Sequence, residues 1–158
     1  MREGVHMFKK LLKTIIFIAL IAIPTRFYFV GQKSATINPG LGLSNDKLQP
    51  CPIKPNCVSS FASVTDEKHF MAAIKVSQNP LKKIQENSSR MNLNIISTDE
   101  KYLRLSSISA IFKFVDDIEF YYNSTEGLLH FRSSSRVGHS DMGKNRSRLQ
   151  DILELNQL

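Results

Sequence analysis

The sequence predicts an α+β domain. A four-stranded antiparallel meander, five-stranded if an early segment joins it, carries two helices on one face, and an apolar helix precedes it. Three observations lead there. Residues 114–135 alternate apolar and polar side chains around a short turn. Segments on either side of the strands repeat apolar residues at three- and four-residue steps. Residues 11–30 hold only two charges, Lys13 and Arg26.

The N-terminal segment comes first. Arg2, Lys9, Lys10 and Lys13 lead into an apolar run over 15–23. Pro24, Thr25 and Arg26 interrupt it, and 27–30 resume it. At about 1.5 Å per residue, 11–30 spans a hydrocarbon core of roughly 30 Å. Lys13 and Arg26 can snorkel from its ends. A signal anchor is the first reading, a cleaved signal peptide the second. No good small-x-small site follows, since with Ala35 at the −1 position Lys33 would occupy −3. A buried soluble helix suits four leading cations poorly. The flanking charges, +3 before and +2 after, place the N-terminus in the cytoplasm by a narrow margin. The domain would then lie outside it, periplasmic or luminal.

Charge partition removes one class of partner. The chain has a net charge of +7. Residues 1–33 carry six Lys/Arg and one Glu, a net of +5. Residues 34–158 carry fifteen Lys/Arg and thirteen acids, a net of only +2. No basic stripe interleaved with aromatics runs along the chain, so nucleic acid is not an expected partner.

Residues 31–50 are rich in Gly, Ser, Asn and Pro and read as a flexible linker. The domain is placed at 51–158. It opens on CPIKPNCVSS. In an exported chain, Cys51 and Cys57 would form a disulfide; two reduced structural thiols are the alternative. No Cys or His pair at finger spacing completes a zinc site, and the spacing is not that of a redox motif. No metal and no cofactor are expected.

Residues 58–62 suit a short first strand. Phe70, Ala73, Ile74, Leu81 and Ile84 place a helix within 66–90, beginning or kinking at Pro80. His69 would sit at its surface start. Residues 92–97 and 102–109 form a hairpin across 98–101, and 111–115 lead to the central hairpin. There Tyr122 is set opposite Gly127, Phe120 opposite Leu129 and Ile118 opposite Phe131. Glu119 then meets His130 and Asp117 meets Arg132 on the other face. Asp116 falls on the apolar face opposite Ser133 and needs partners, serine hydroxyls or backbone amides. Gly138 allows a turn, Ser140 or Asp141 can cap the last helix, and Met142, Leu149, Ile152 and Leu153 give its stripe.

The segments PCPIKPNCVSS, KYLRL, FKFVDDIEF and HFRSSSRVGHSDMGKNR, in that order, resemble the domain-of-unknown-function family 1499 over about residues 48–155. Matching positions include Cys51, Cys57, Asp116, Asp117, Glu119, Arg132, Arg136, Asp141, Asn145 and Arg146. His139 stands where Tyr is common in such proteins, which speaks against an essential imidazole there. The resemblance implies a fold and a hydrophobic N-terminal segment; it implies no activity.

The candidate site follows from the charged face. Asp117, Glu119, His130, Arg132 and Arg136 share one side of the hairpin. Lys144 and Arg146 follow on the last helix, whose N-terminal amides would add to an anion site. The ligand or partner residues expected are Asp117, Glu119, Arg132, Arg136, Asp141 and Arg146. Arg136 and Arg146 are expected to converge on hairpin acids. A solvated face of salt bridges is the competing reading. Adjacent Asp116 and Asp117 point to opposite faces and cannot share a proton. No nucleophile elbow, phosphate loop or zincin motif occurs, and no catalytic residue is assigned. The expected function is a membrane-tethered, non-catalytic module for an anionic ligand or a membrane-protein partner. Alternatives are an assembly factor, or a hydrolase using Asp117 with His130.

Overall fold

The computed structural model describes residues 2–158, with side chains from His6 onward, so the Arg2 cation lies outside the described side chains. Its central element is a sheet whose strands follow the order β3-β8-β7-β6-β5. These are β3 (Cys57–Ser59), β5 (Leu93–Thr98), β6 (Tyr102–Ile108), β7 (Val115–Asn123) and β8 (Leu128–Ser135). A two-residue strand, β4 (Ile74–Lys75), adds to β8. All these ladders are antiparallel. The expected meander is β5 to β8, and β3 is the fifth strand.

Two helices cover one face. In α2 (Leu81–Asn87), Leu81 and Ile84 are buried; in α3 (Lys144–Leu155), Leu149, Ile152 and Leu153 are. They pack against Leu103, Leu105, Ile118, Phe120, Leu129 and Phe131 of the sheet. Each such side chain contributes about 1.5–3 kcal/mol on burial. Phe120 and Phe131 meet edge to face at 6.5 Å.

The hairpin register differs from expectation by two residues. Tyr122 faces Leu129, Phe120 faces Phe131 and Glu119 faces Arg132. The turn is 124–127, because Gly127 takes φ +63° and Asn123 Oδ1 accepts the amides of Thr125 and Glu126. A shift of two keeps every side chain on its face. Glu119 therefore gains Arg132 instead of His130, and Asp117 faces Ser134. Asp116 takes Arg148 of α3 at 2.7 Å, in place of the serines expected.

The helix expected within 66–90 is short. It begins after Pro80, with Asn79 Oδ1 accepting the Leu81 amide at 3.0 Å. Residues 66–73 form a loop and β4 follows. His69 is buried in that loop, not at a helix surface.

Residues 31–50 are not a structureless tether. The apolar helix, α1 (Arg2–Thr36), continues to Thr36. Beyond it, β1 (Leu43–Ser44) and β2 (Lys47–Leu48) form a hairpin. Asn45 and Asp46 at φ +50° and +55° make its two-residue turn, a geometry these side chains tolerate. Leu48 is buried with Tyr102 and Tyr121 on the second face of the sheet.

α1 is long and apolar enough to cross a membrane, with mean hydropathy 1.8 over its best stretch and 6% of that stretch buried. Its final turns touch the domain. Phe27 lies 5.5 Å from Phe112 and 6.4 Å from Phe114 between ring centres. Ser34 is buried, and its hydroxyl accepts the Val115 amide at 3.0 Å.

Candidate functional site

The site forms where the polar face of the sheet meets the strap 37–52. Period-two alternation sends Tyr102, Arg104, Asp117, Glu119, Arg132 and Ser134 to this side. Antiparallel pairing then sets their neighbours: Glu119 lies between Arg104 and Arg132, and Asp117 between Ser106 and Ser134.

Two buried carboxylates anchor a network. Asp117 accepts Arg136 through Nε at 2.7 Å and Nη2 at 3.0 Å, and Arg104 through Nη2 at 2.8 Å. Burial alone would raise its pKa; the bonds from Arg136 and Arg104 outweigh this and hold it below the ordinary value. Glu119, fully buried, accepts Arg132 at 3.2 Å, the Tyr102 hydroxyl at 2.8 Å and the Gly42 amide at 3.0 Å. Burial, then the Glu119 charge, pushes the Tyr102 phenol far up, so it donates at any physiological pH.

The balance of charge is uneven. Arg104, Arg132 and Arg136 face Asp117 and Glu119. Arg132 is 5% exposed, and its Nε is buried without a hydrogen-bond partner. Arg132, Arg136, Asp117, Ser134 and Ser135 form one wall of a cavity of about 460 Å³. Ile37, Pro39, Leu41, Gln49, Pro50 and Cys51 form the other. The volume falls in the small-molecule range. The segment that looked like a linker is thus its cover, held down by the Gly42–Glu119 bond and by buried Leu48. The Cys51–Cys57 disulfide, with Cα atoms 5.6 Å apart, fixes the end of the strap to β3.

Arg136 also faces the helix. Its Nη1 lies within 3.1–3.4 Å of the Ser34, Ala35 and Ile37 carbonyls. It thereby satisfies acceptors left open where α1 ends.

Other expected residues lie elsewhere. Arg146 does not converge with Arg136 on a hairpin acid. Its Nη2 instead takes the carbonyls of Glu67, Lys68 and Phe70, tying down the loop before β4. Asp141 accepts the amides of Gly143 and Asn145 at the start of α3 and does not line the cavity. Lys144 is exposed and outside the cavity.

His130 is also apart from Asp117. It faces Tyr121 in the register, four residues from Asp117 along β7, or about 13 Å at 3.3 Å per residue. Its ring is stacked between Phe61 at 4.2 Å and Tyr121 at 5.9 Å. Burial lowers its pKa, and Glu126 only partly offsets that. Its Nδ1 lies 3.2 Å from Ser60 Oγ, but that hydroxyl is held by the Phe131 amide at 3.1 Å and carbonyl at 3.3 Å. The group pins the chain after β3 to β8 and frees no nucleophile.

Sequence reasoning missed Arg104 and Tyr102. Both lie in KYLRL, and the alternation of that segment opposite 117–121 was the available signal. Asn145 was named only as a position matching the family; it is fully buried, accepts the Ser133 hydroxyl at 2.6 Å and donates to the Asn56 carbonyl at 2.9 Å. Among the described residues, no cluster of three metal-ligating side chains occurs.

The family model described as "Protein of unknown function (DUF1499)" matches residues 47–155. No curated protein and no solved structure matches the chain.

Proposed function

The chain belongs to the DUF1499 family, and from that premise we propose that it is a membrane-tethered, extracytoplasmic binding module whose cavity takes a small anion, a carboxylate or phosphate. The observation that carries this is Arg132. It is a buried cation with one unsatisfied donor, in a wall where Arg132 and Arg136 stand beside a single carboxylate, Asp117. A buried charge imbalance is costly unless something compensates it. A guanidinium matches carboxylate and phosphate geometry. Catalysis is not part of the proposal, since both carboxylates are committed to arginines and His130 is remote. The disulfide suits an oxidising compartment. The contacts of Phe27 and Ser34 with the domain favour a retained α1 over a cleaved one.

The test is calorimetric titration of the full chain in lipid nanodiscs with inorganic phosphate and with succinate. Saturable binding is expected, weakened at least tenfold in Arg132→Gln and unchanged in Lys144→Gln. Thermal melts confirm that each variant is folded. Absence of saturable binding of either probe to the wild-type chain rejects the reading.

A further inference from the structure

The β6–β7 loop, residues 109–114, carries a surface the proposed function does not use. Ile111 at its tip is 74% exposed, and Ile108 at its base is 48% exposed. Lys113 beside them is also exposed. An exposed isoleucine alone means little. What gives this one meaning is its fixed position against α1.

Three contacts set that position. Phe112 and Phe114 both pack on Phe27. Gly31 meets the Phe112 carbonyl so closely that a Cβ there would lie 1.6 Å from its oxygen. Ser34 Oγ holds the Val115 amide and reaches the Lys113 carbonyl at 3.4 Å. The loop therefore follows α1 over two turns, from Phe27 to Ser34. Phe27 lies inside the apolar stretch 11–30. At 1.5 Å per residue it is about 24 Å from Leu11, within a hydrocarbon core of roughly 30 Å. A loop clamped at Phe27 reaches the same depth.

We propose that the β6–β7 loop is a second membrane contact, with Ile111 and Phe112 seated in the lipid at the headgroup boundary beside α1. The partner is the bilayer surface itself. Lys33 and Lys113, both exposed, flank the apolar groups with cations suited to anionic headgroups. The domain would then rest against the membrane by this end of the sheet, with the turn 124–127 at the far end of β7 pointing away.

This inference rests on the tethered reading above, and the test separates the two. Single cysteines are placed at Ile18, Ile111 and Thr125 of the full chain, whose own cysteines are bridged, and labelled with an environment-sensitive fluorophore. The proteins are reconstituted in phosphatidylcholine–phosphatidylglycerol vesicles with or without brominated lipid. Quenching is expected to be strong at Ile18, intermediate at Ile111 and absent at Thr125. Strong quenching at Ile18 with none at Ile111 overturns the loop contact and leaves the anchor standing. Absence of quenching at Ile18 overturns both. Equal quenching at Ile111 and Thr125 overturns the end-on placement.

Discussion

Arg136 holds Asp117 through two parallel hydrogen bonds of 2.7 and 3.0 Å, and turns its remaining nitrogen to the end of α1. One guanidinium thus joins three parts: the buried carboxylate of the sheet, the cavity wall and the last turn of the apolar helix. The Arg136 side chain is 11% exposed and that of Asp117 1%, so solvent does little to weaken the pair. Lys has no fork and cannot make both bonds. Arg136→Lys is expected to lower stability by about 1–3 kcal/mol, the scale of charged hydrogen bonds. Asp117→Asn leaves two arginines facing a neutral amide and should cost more, about 3–5 kcal/mol. Chemical denaturation of both variants checks this. A smaller loss in Asp117→Asn than in Arg136→Lys would contradict the geometry.

Asp117 also sets an acid limit. Its pKa is held below the ordinary carboxylate value. Such a group contributes stability above its unfolded pKa, about 3.9, and loses it as pH falls through the folded value. Melting temperature should therefore fall steeply below about pH 4 in the wild-type protein. In Asp117→Asn the profile should start lower and be flatter there. Parallel acid profiles for the two proteins would assign acid unfolding to other carboxylates.

His69 predicts the opposite slope near neutrality. Its Nδ1 bonds Asp66 at 2.7 Å and its Nε2 lies 3.0 Å from the Lys54 carbonyl. Both contacts are best when the ring is protonated, and Asp66 first, then Lys54, raises its pKa. That contribution is complete below the unfolded value of about 6.5 and is lost as pH rises through the folded one. His69→Gln should remove this decline from the melting profile above about pH 6.5. The effect reaches the disulfide loop, because Lys54 lies between Cys51 and Cys57.

The disulfide closes a short loop. Its loss should cost about 2–2.5 kcal/mol on the chain-entropy view. Thiol labelling of protein prepared without reductant should modify neither cysteine in the native state, and both after reduction. Free labelling of both without reductant would contradict the bridge.

Period-two alternation was strong enough in 114–135 to assign every side chain to a face, so the charged face and the apolar face were legible. Pairing was not, because a two-residue slip costs nothing in face assignment. The turn glycine, Gly127, decided it through its left-handed backbone. Phe70, Ala73 and Ile74 carry helical spacing by chance; Ile74 belongs to a strand that borrows β8 as its partner. The strap was unreadable for a related reason. Asn45, Asp46 and Gly42 are the residues a tether would contain, and also those a tight hairpin needs. At the site, Asp117, Glu119, Arg132 and Arg136 were legible as one face. Their cavity was not, because half its wall comes from the strap.

Gly31 gives the last prediction, since it reports how tightly α1 is held to the domain. It is buried in α1, and an added Cβ would collide with the Phe112 backbone oxygen. Backbone cannot rotate away as a side chain can, so either the helix or the β6–β7 loop must move. On an isolated helix, Gly→Ala favours the helix by up to about 1 kcal/mol. Here overpacking should dominate, at typically 1–3 kcal/mol, and the sign of the substitution reverses. Displacement of the loop also breaks the bond from the Val115 amide to Ser34. Hydrogen exchange on the full chain in nanodiscs should show faster exchange at Val115 in Gly31→Ala and unchanged exchange at Phe120 in mid-sheet. Ser34→Ala should accelerate Val115 in the same way without any clash. A Gly31→Ala chain that melts higher than wild type, with Val115 still protected, would mean that α1 and the domain are not joined at this turn.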